Sequence, residues 1–210
     1  MCQAGRIPFN LPFSETVMRL TILFAIFPLP LLADPCADRL SALLAAPTFN
    51  GQPYAARATG EIGGMPSVTV QRFHIELHSY IVTEQPPGTP DMLHFNGGAY
   101  MADGAGGWTL AWQMDPVEMT RQAAEMRAAQ AAGVIRAECG TGQIDGVAVD
   151  HVAGVVKQVP PWQSELGVAY DIETATGLPK RMTYDYTMSG MPTHVQFDFT
   201  PMPDMVLPEP

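Results

Sequence analysis

The sequence predicts an α+β fold: a meandering antiparallel sheet with two helices packed on one of its faces. Three observations carry this expectation. Apolar residues alternate with a period of two through most of the chain. Turn pairs such as Gly63-Gly64, Asp145-Gly146 and Ser189-Gly190 recur at short intervals, and only two stretches switch to a helical period. The chain has 19 Gly and 20 Pro, as a turn-rich domain requires.

The first element is one the fold would not keep. Arg19 precedes an apolar run, Leu20 to Leu32, that closes at Ala33-Asp34. A bilayer span needs roughly 20 apolar residues, and this run is shorter and broken by Pro28 and Pro30. It reads as an export signal over 1–33, cut after Ala33, with Met18 as an alternative start. Leu31 is bulky for its place before the cut, and Ala33-Asp34-Pro35 before Cys36 does not make a lipidation signal. The mature chain is then periplasmic or secreted, with one domain over 34–200 and a loosely held proline-rich tail over 201–210.

Asp34-Pro35 predicts the N-cap and first residue of a helix with Leu40, Leu43 and Leu44 on its apolar stripe, ended by Pro47. A strand follows from Tyr54 to Ile62. In the next, Phe73, Ile75, Leu77 and Ile81 point one way while Arg72, His74, Glu76 and His78 point the other. Met92 to Met101 is extended around Gly97-Gly98, and Trp108 to Gln113 is a strand with Trp108, Leu110 and Trp112 on one face. Asp115-Pro116-Val117-Glu118 opens a second helix that runs to Ala132 and stops at Gly133. Met119, Ala123 and Met126 form its apolar side, which weakens toward Gln130. Val134–Cys139 and Gln143–Val156 are extended, Pro160-Pro161-Trp162 breaks the chain, and three alternating strands end it. About five strands thus lie on each side of the second helix.

Acidic residues number 21 against 11 basic ones, for a net charge of −10. Such a surface repels phosphate backbones and anionic bilayers, so neither nucleic acid nor membrane insertion of the mature chain is expected. Of three cysteines, Cys2 leaves with the signal. Cys36 and Cys139 remain as an even pair in an oxidising compartment, and a disulfide is expected between them.

The stretch Tyr170-Asp171-Ile172-Glu173-Thr174-Ala175-Thr176-Gly177-Leu178-Pro179-Lys180-Arg181-Met182-Thr183-Tyr184 resembles the strand–turn–strand of periplasmic lipoprotein-carrier-like proteins, the LolA/LolB-type half-barrel superfamily. The resemblance covers about 35 residues well and the rest by element order. It implies a curved half-barrel with both helices on its concave face. It also implies a function of carrying a lipid or lipidated partner. Only the structural Gly177-Leu178-Pro179 turn matches residue by residue.

The residues themselves offer little catalytic chemistry. Gly-x-Ser-x-Gly is absent, the glycines of Gly140–Gly146 miss a dinucleotide spacing, and no nucleophile is paired with a base. The expectation is a non-catalytic protein without cofactor that binds a hydrophobic, acyl-type ligand or lipidated partner. Its candidate lining is Phe73, Ile75, Leu77, Ile81, Trp108, Trp112, Met119, Met126, Tyr184 and Phe197, apolar residues on strand and helix faces. Two alternatives stand beside it. A metal protein would use His74, Glu76 and His78 from one strand face for zinc or copper, with His194 as a fourth ligand if the strands neighbour. Alternatively it would use Met188-x-x-Met191 and Met202-x-x-Met205 for cuprous ion. The plain reading of the first set is a solvated strand face, and of the second, core filling. An envelope interaction module would instead show an exposed apolar patch.

Overall fold

The computed structural model describes residues 34–62, 64–158 and 164–210. The predicted export signal and the Pro160–Trp162 break lie outside them. Helix α1 (Pro35–Ala45) starts where Asp34 caps it, its carboxylate accepting from the Cys36 N–H at 2.9 Å. A short 3₁₀ turn (Thr48–Gly51) follows. The next six strands are β1 (Tyr54–Ile62), β2 (Met65–Ile75), β3 (His78–Gln85), β4 (Met92–Phe95), β5 (Gly98–Ala102) and β6 (Trp108–Gln113). Helix α2 (Pro116–Ala132), capped by Asp115, leads to β7 (Val134–Ile144), β8 (Val147–Val156), β9 (Leu166–Glu173), β10 (Pro179–Met188) and β11 (Met191–Pro201).

All eleven strands form one antiparallel sheet in the order β6-β5-β4-β3-β2-β1-β11-β10-β9-β8-β7. Each half is a meander, and the first and last strands join the halves. Helix α2 connects the two outermost strands directly. Its 17 residues reach only about 26 Å at 1.5 Å per residue, whereas a flat sheet of this width would set its edges about 48 Å apart. The sheet is therefore curved and open, as the half-barrel resemblance implies.

Register separates two faces. The inner face carries Tyr54, Ala56 and Ala58 of β1 with Phe73, Gln71 and Thr69 of β2. Across the other half it carries Phe197 and Phe199, Met182 and Tyr184, Val168 and Tyr170, and Val152. Helix α1 lies on this face against β7 and β8. Leu40 and Leu44 enter a core with Phe49, Val152, Val156, Leu166 and Phe199. The close approach needs Gly154: a Cβ there would stand 2.5 Å from Leu40 Cδ2 and closer still to the Arg136 carbonyl oxygen. Cys139 points inward beside α1 and forms the expected disulfide with Cys36. Ser41 Oγ donates to the Ala131 carbonyl at 3.0 Å, tying α1 to α2.

The outer face of the second half carries a row of charge: His151, Asp171, Arg181, Asp198 and Arg57 occupy one register line across β8, β9, β10, β11 and β1. His151 meets Asp171, and Arg181 meets Asp198, both at 2.7 Å. Such exposed pairs add little stability each, but a one-residue slip of any strand would turn these charges inward.

Four expectations are corrected. The stretch Arg72–Ile81 is not one strand: Glu76 and Leu77 turn between β2 and β3, and the register shifts between Phe73 and Ile75. Strand β6 contains a bulge, since Tyr100 opposes Leu110 while Ala99 opposes Trp112. Trp108 and Leu110 therefore face outward and Trp112 inward. Helix α2 is buried at its C-terminal end, at Gln130, while Met126 is 40% exposed, the reverse of the expected gradient. The tail is not loose. Met205 and Leu207 are buried, the Met202 N–H donates to the Pro53 carbonyl at 3.0 Å, and the Pro208 carbonyl lies 2.9 Å from His78 Nε2.

Candidate functional site

The inner face is only partly filled by the chain itself. The 3₁₀ turn drives Phe49 into the trough, where its ring stacks on Tyr54 at 4.7 Å and meets Phe199 at 5.5 Å. Tyr54 in turn stacks on Phe73 at 4.8 Å. Burial pushes the Tyr54 hydroxyl pKa up to about 12, opposed by a hydrogen bond with Thr48. Burial likewise raises Tyr170 and Tyr184, which hydrogen-bond to each other. These phenols stay neutral at physiological pH, so this wall of the trough carries no charge.

Two hollows flank this aromatic plug. One, of about 190 Å³, lies toward α2 and is lined by Tyr54, Phe73, Ile75 and the Glu76–Arg127 ion pair. The other, also about 190 Å³, lies farther along the same strands. Its walls are Ala58, Gly60, Ile62 and Thr69 from β1 and β2, and Tyr186, Val195 and Phe197 from β10 and β11. Small residues at alternate positions of β1 leave this second space. That run, Ala56-x-Ala58-x-Gly60, is the signal the sequence offers for this space, and alternation of large apolar residues alone does not reveal it.

The candidate lining residues divide. Phe73, Tyr184 and Phe197 share the inner wall, Tyr184 and Phe197 with ring centroids 6.0 Å apart. Ile81 lies on the same face, register-linked through Gln71. Trp112 reaches the inner face near the sheet edge, 45% exposed and 6.2 Å from the His94 ring. Met119 is half-buried on α2. Ile75 is 54% exposed, Leu77 sits in the β2–β3 turn, and Trp108 packs on Tyr80 at the outer face, 6.0 Å away.

The His74, Glu76 and His78 set does not form a metal centre. The turn takes Glu76 out of the strand, where its carboxylate binds Arg127 at 2.5 Å. His78 is buried against Phe95 and held by the Pro208 carbonyl. His194 is far across the sheet on β11, paired with Asp185 at 2.7 Å. Among the described residues no group of three His, Cys, Asp or Glu could hold a metal ion. No helix among them is long and apolar enough to cross a membrane.

One inner-face histidine is perturbed. His94 accepts or donates at Nδ1 with Ser79 Oγ, 3.0 Å away, and burial lowers its pKa below the ordinary 6.5. The folded chain thus resists a proton that the unfolded chain takes. The stability this contributes is complete above about pH 6.5 and is lost as pH falls through the folded-state value. The urea midpoint is expected to drop between pH 7.5 and 5.5, and His94→Gln to flatten that drop. Identical pH dependence in both proteins would remove His94 as its source.

No protein-family model matches the chain, and no curated protein matches it in sequence. Its fold is similar to those of several solved structures. One is a chain of the complex of Pseudomonas aeruginosa MucA and MucB: 15% identity, 80% of this chain, 57% of that one, TM-score 0.44. Another is MucB: 14% identity, 82% of this chain, 60% of that one, TM-score 0.46. A third is a LolA-superfamily protein of Nitrosomonas europaea: 10% identity, 82% of this chain, 94% of that one, TM-score 0.37. The chain spans 57% and 60% of the length of the first two. A fourth is a putative outer membrane lipoprotein-sorting protein domain from Vibrio parahaemolyticus: 7% identity, 81% of this chain, 93% of that one, TM-score 0.32.

Proposed function

We propose that this chain is an exported, non-catalytic binding protein that takes a hydrophobic ligand, the acyl chain of a lipid or of a lipidated partner, into the trough of its sheet. The observation that carries this is the second hollow, left unfilled between β1–β2 and β10–β11 beside an uncharged aromatic wall. An apolar chain entering it leaves water without facing a buried charge, and burial stabilises it by roughly 25 cal/mol per Å². The Cys36–Cys139 disulfide suits an oxidising compartment outside the cytoplasm. Non-catalysis is supported by the Ser79–His94 contact: the hydroxyl side chain is 3% exposed and closed to a substrate.

The test is direct. Thr69 lines the hollow from β2, and Thr69→Trp would fill it. The unmodified chain is expected to carry a fluorescent fatty-acyl probe with micromolar affinity, and Thr69→Trp to weaken it at least about tenfold, or about 1.4 kcal/mol. Native mass spectrometry without bound lipid, together with no affinity for the probe, would end the proposal.

A second reading has its own observation. Met101 and Trp112 both face inward at the β6 edge, and with Met114 and Val117 just beyond them each is 37% exposed or more. A contact surface for another envelope protein would use this patch, and its substitution would leave probe binding unchanged.

A further inference from the structure

We propose that the Glu76–Arg127 ion pair is the headgroup end of the acyl trough and selects a lipid whose head joins a phosphate to an ammonium, as phosphoethanolamine does. This deepens the acyl-binding proposal and rests on it. The arginine occupies a place where an apolar residue would ordinarily pack. Met119, Ala123, Arg127 and Gln130 recur at helical spacing as the half-buried to buried side of α2. A cation thus stands on the covered stripe of the helix, while Met126 beside it is 40% exposed.

The ion pair is only half used. Arg127 Nη1 donates to Glu76 Oε1, and among the described residues Nε and Nη2 of the guanidinium and Oε2 of the carboxylate have no protein partner. Both side chains line the first hollow together with Tyr54, Phe73 and Ile75, and the arginine is 26% exposed. The unused edge of a guanidinium is a planar fork that takes a phosphate by two parallel hydrogen bonds. An unused carboxylate oxygen takes an ammonium. A phosphate and an ammonium on one short linker can therefore both be held while the ion pair stays intact. Thr48, Gln52 and His74 add polar groups to the same hollow.

Charge decides between head types. The chain carries a net charge of −10, which disfavours a lipid of net negative charge, and the ion pair itself sums to zero. A zwitterionic head meets both charges and adds none. A glycerol head would cover the unused donors without giving the cation an anion. The tail has a path to the second hollow. Phe73 lines the first hollow and Gln71 the second, and these are neighbouring inner-face positions of β2, about 7 Å apart. A lipid headed at Glu76–Arg127 lays its chain along β2, past the aromatic plug, toward Thr69.

The experiment displaces the fluorescent fatty-acyl probe from the full chain with three lipids that share one acyl chain: lysophosphatidylethanolamine, lysophosphatidylglycerol and the uncharged monoacylglycerol. Each is used below its micelle concentration. The first is expected to act at concentrations at least about tenfold lower than either of the others. In Arg127→Gln its advantage over the monoacylglycerol should vanish, and in Glu76→Gln its advantage over lysophosphatidylglycerol should vanish. Phosphoethanolamine alone, at the same concentrations, should displace nothing. The ion pair is partly exposed, so its loss costs little stability, and near-ultraviolet circular dichroism verifies that both variants are folded. The comparison of the three lipids on the unmodified chain stands without the variants. Equal displacement by all three lipids, unchanged discrimination in either variant, or displacement by phosphoethanolamine alone would each overturn the headgroup site and leave acyl binding standing. A probe that does not bind at all would end the acyl reading and the headgroup site with it.

Discussion

Replacing both Cys36 and Cys139 with serine is expected to lower the unfolding free energy by about 4–5 kcal/mol. The two residues are 103 positions apart, so the crosslink removes one very large loop from the unfolded ensemble. It also anchors α1, whose Leu40 and Leu44 supply much of the apolar plug on the second half of the sheet. For a domain of this size the loss corresponds to a fall in melting temperature on the order of 10 °C or more. Urea titration of the variant, and of the unmodified chain with reductant, checks it. A change below about 1 kcal/mol would mean that the unfolded chain is already compact enough to make the crosslink redundant.

Phe49→Ala is expected to cost about 3–5 kcal/mol, the range for a large aromatic removed from a packed core. Phe49 is 2% exposed yet has a φ of 54, a backbone state that costs a side-chain-bearing residue roughly 1–2 kcal/mol. Its contacts with Tyr54 and Phe199 must outweigh that cost. The substitution also empties the space between the two hollows. The variant should therefore unfold at lower urea while binding a fatty-acyl probe at least as tightly as the unmodified chain. Loss of probe binding in a variant that remains folded would show that Phe49 shapes the ligand site rather than plugging it.

Much of the fold was legible because its local signals agree with its tertiary packing. Asp34-Pro35 and Asp115-Pro116 start the helices where the capping chemistry places them, and Asp145-Gly146 and Ser189-Gly190 turn where positive φ is required. The turn at Glu76-Leu77 was missed because neither residue takes a positive φ, so nothing there demands glycine or asparagine. The β6 bulge was missed for a related reason. Leu110-Ala111-Trp112 carries no glycine, and only the pairing with β5 shows that one residue is extra. The candidate site was half legible. Alternation found Phe73, Tyr184 and Phe197, but which inner residues are left uncovered depends on where the 3₁₀ turn and α1 stop, and this is not a local property of the chain. The burial of the tail was hidden by its prolines, which suggest looseness although Met205 and Leu207 are anchored.

The helix that joins the outermost strands has one more consequence. A flexible connector would let the ribbon open and shut, but a hydrogen-bonded rod has a fixed rise per residue. With one end at Gln113 and the other at Val134, α2 works as a spreader bar, and the number of its residues gauges how wide the channel beneath it can be. The calibre available to a guest is in this sense written into the length of a segment that need not touch the guest at all.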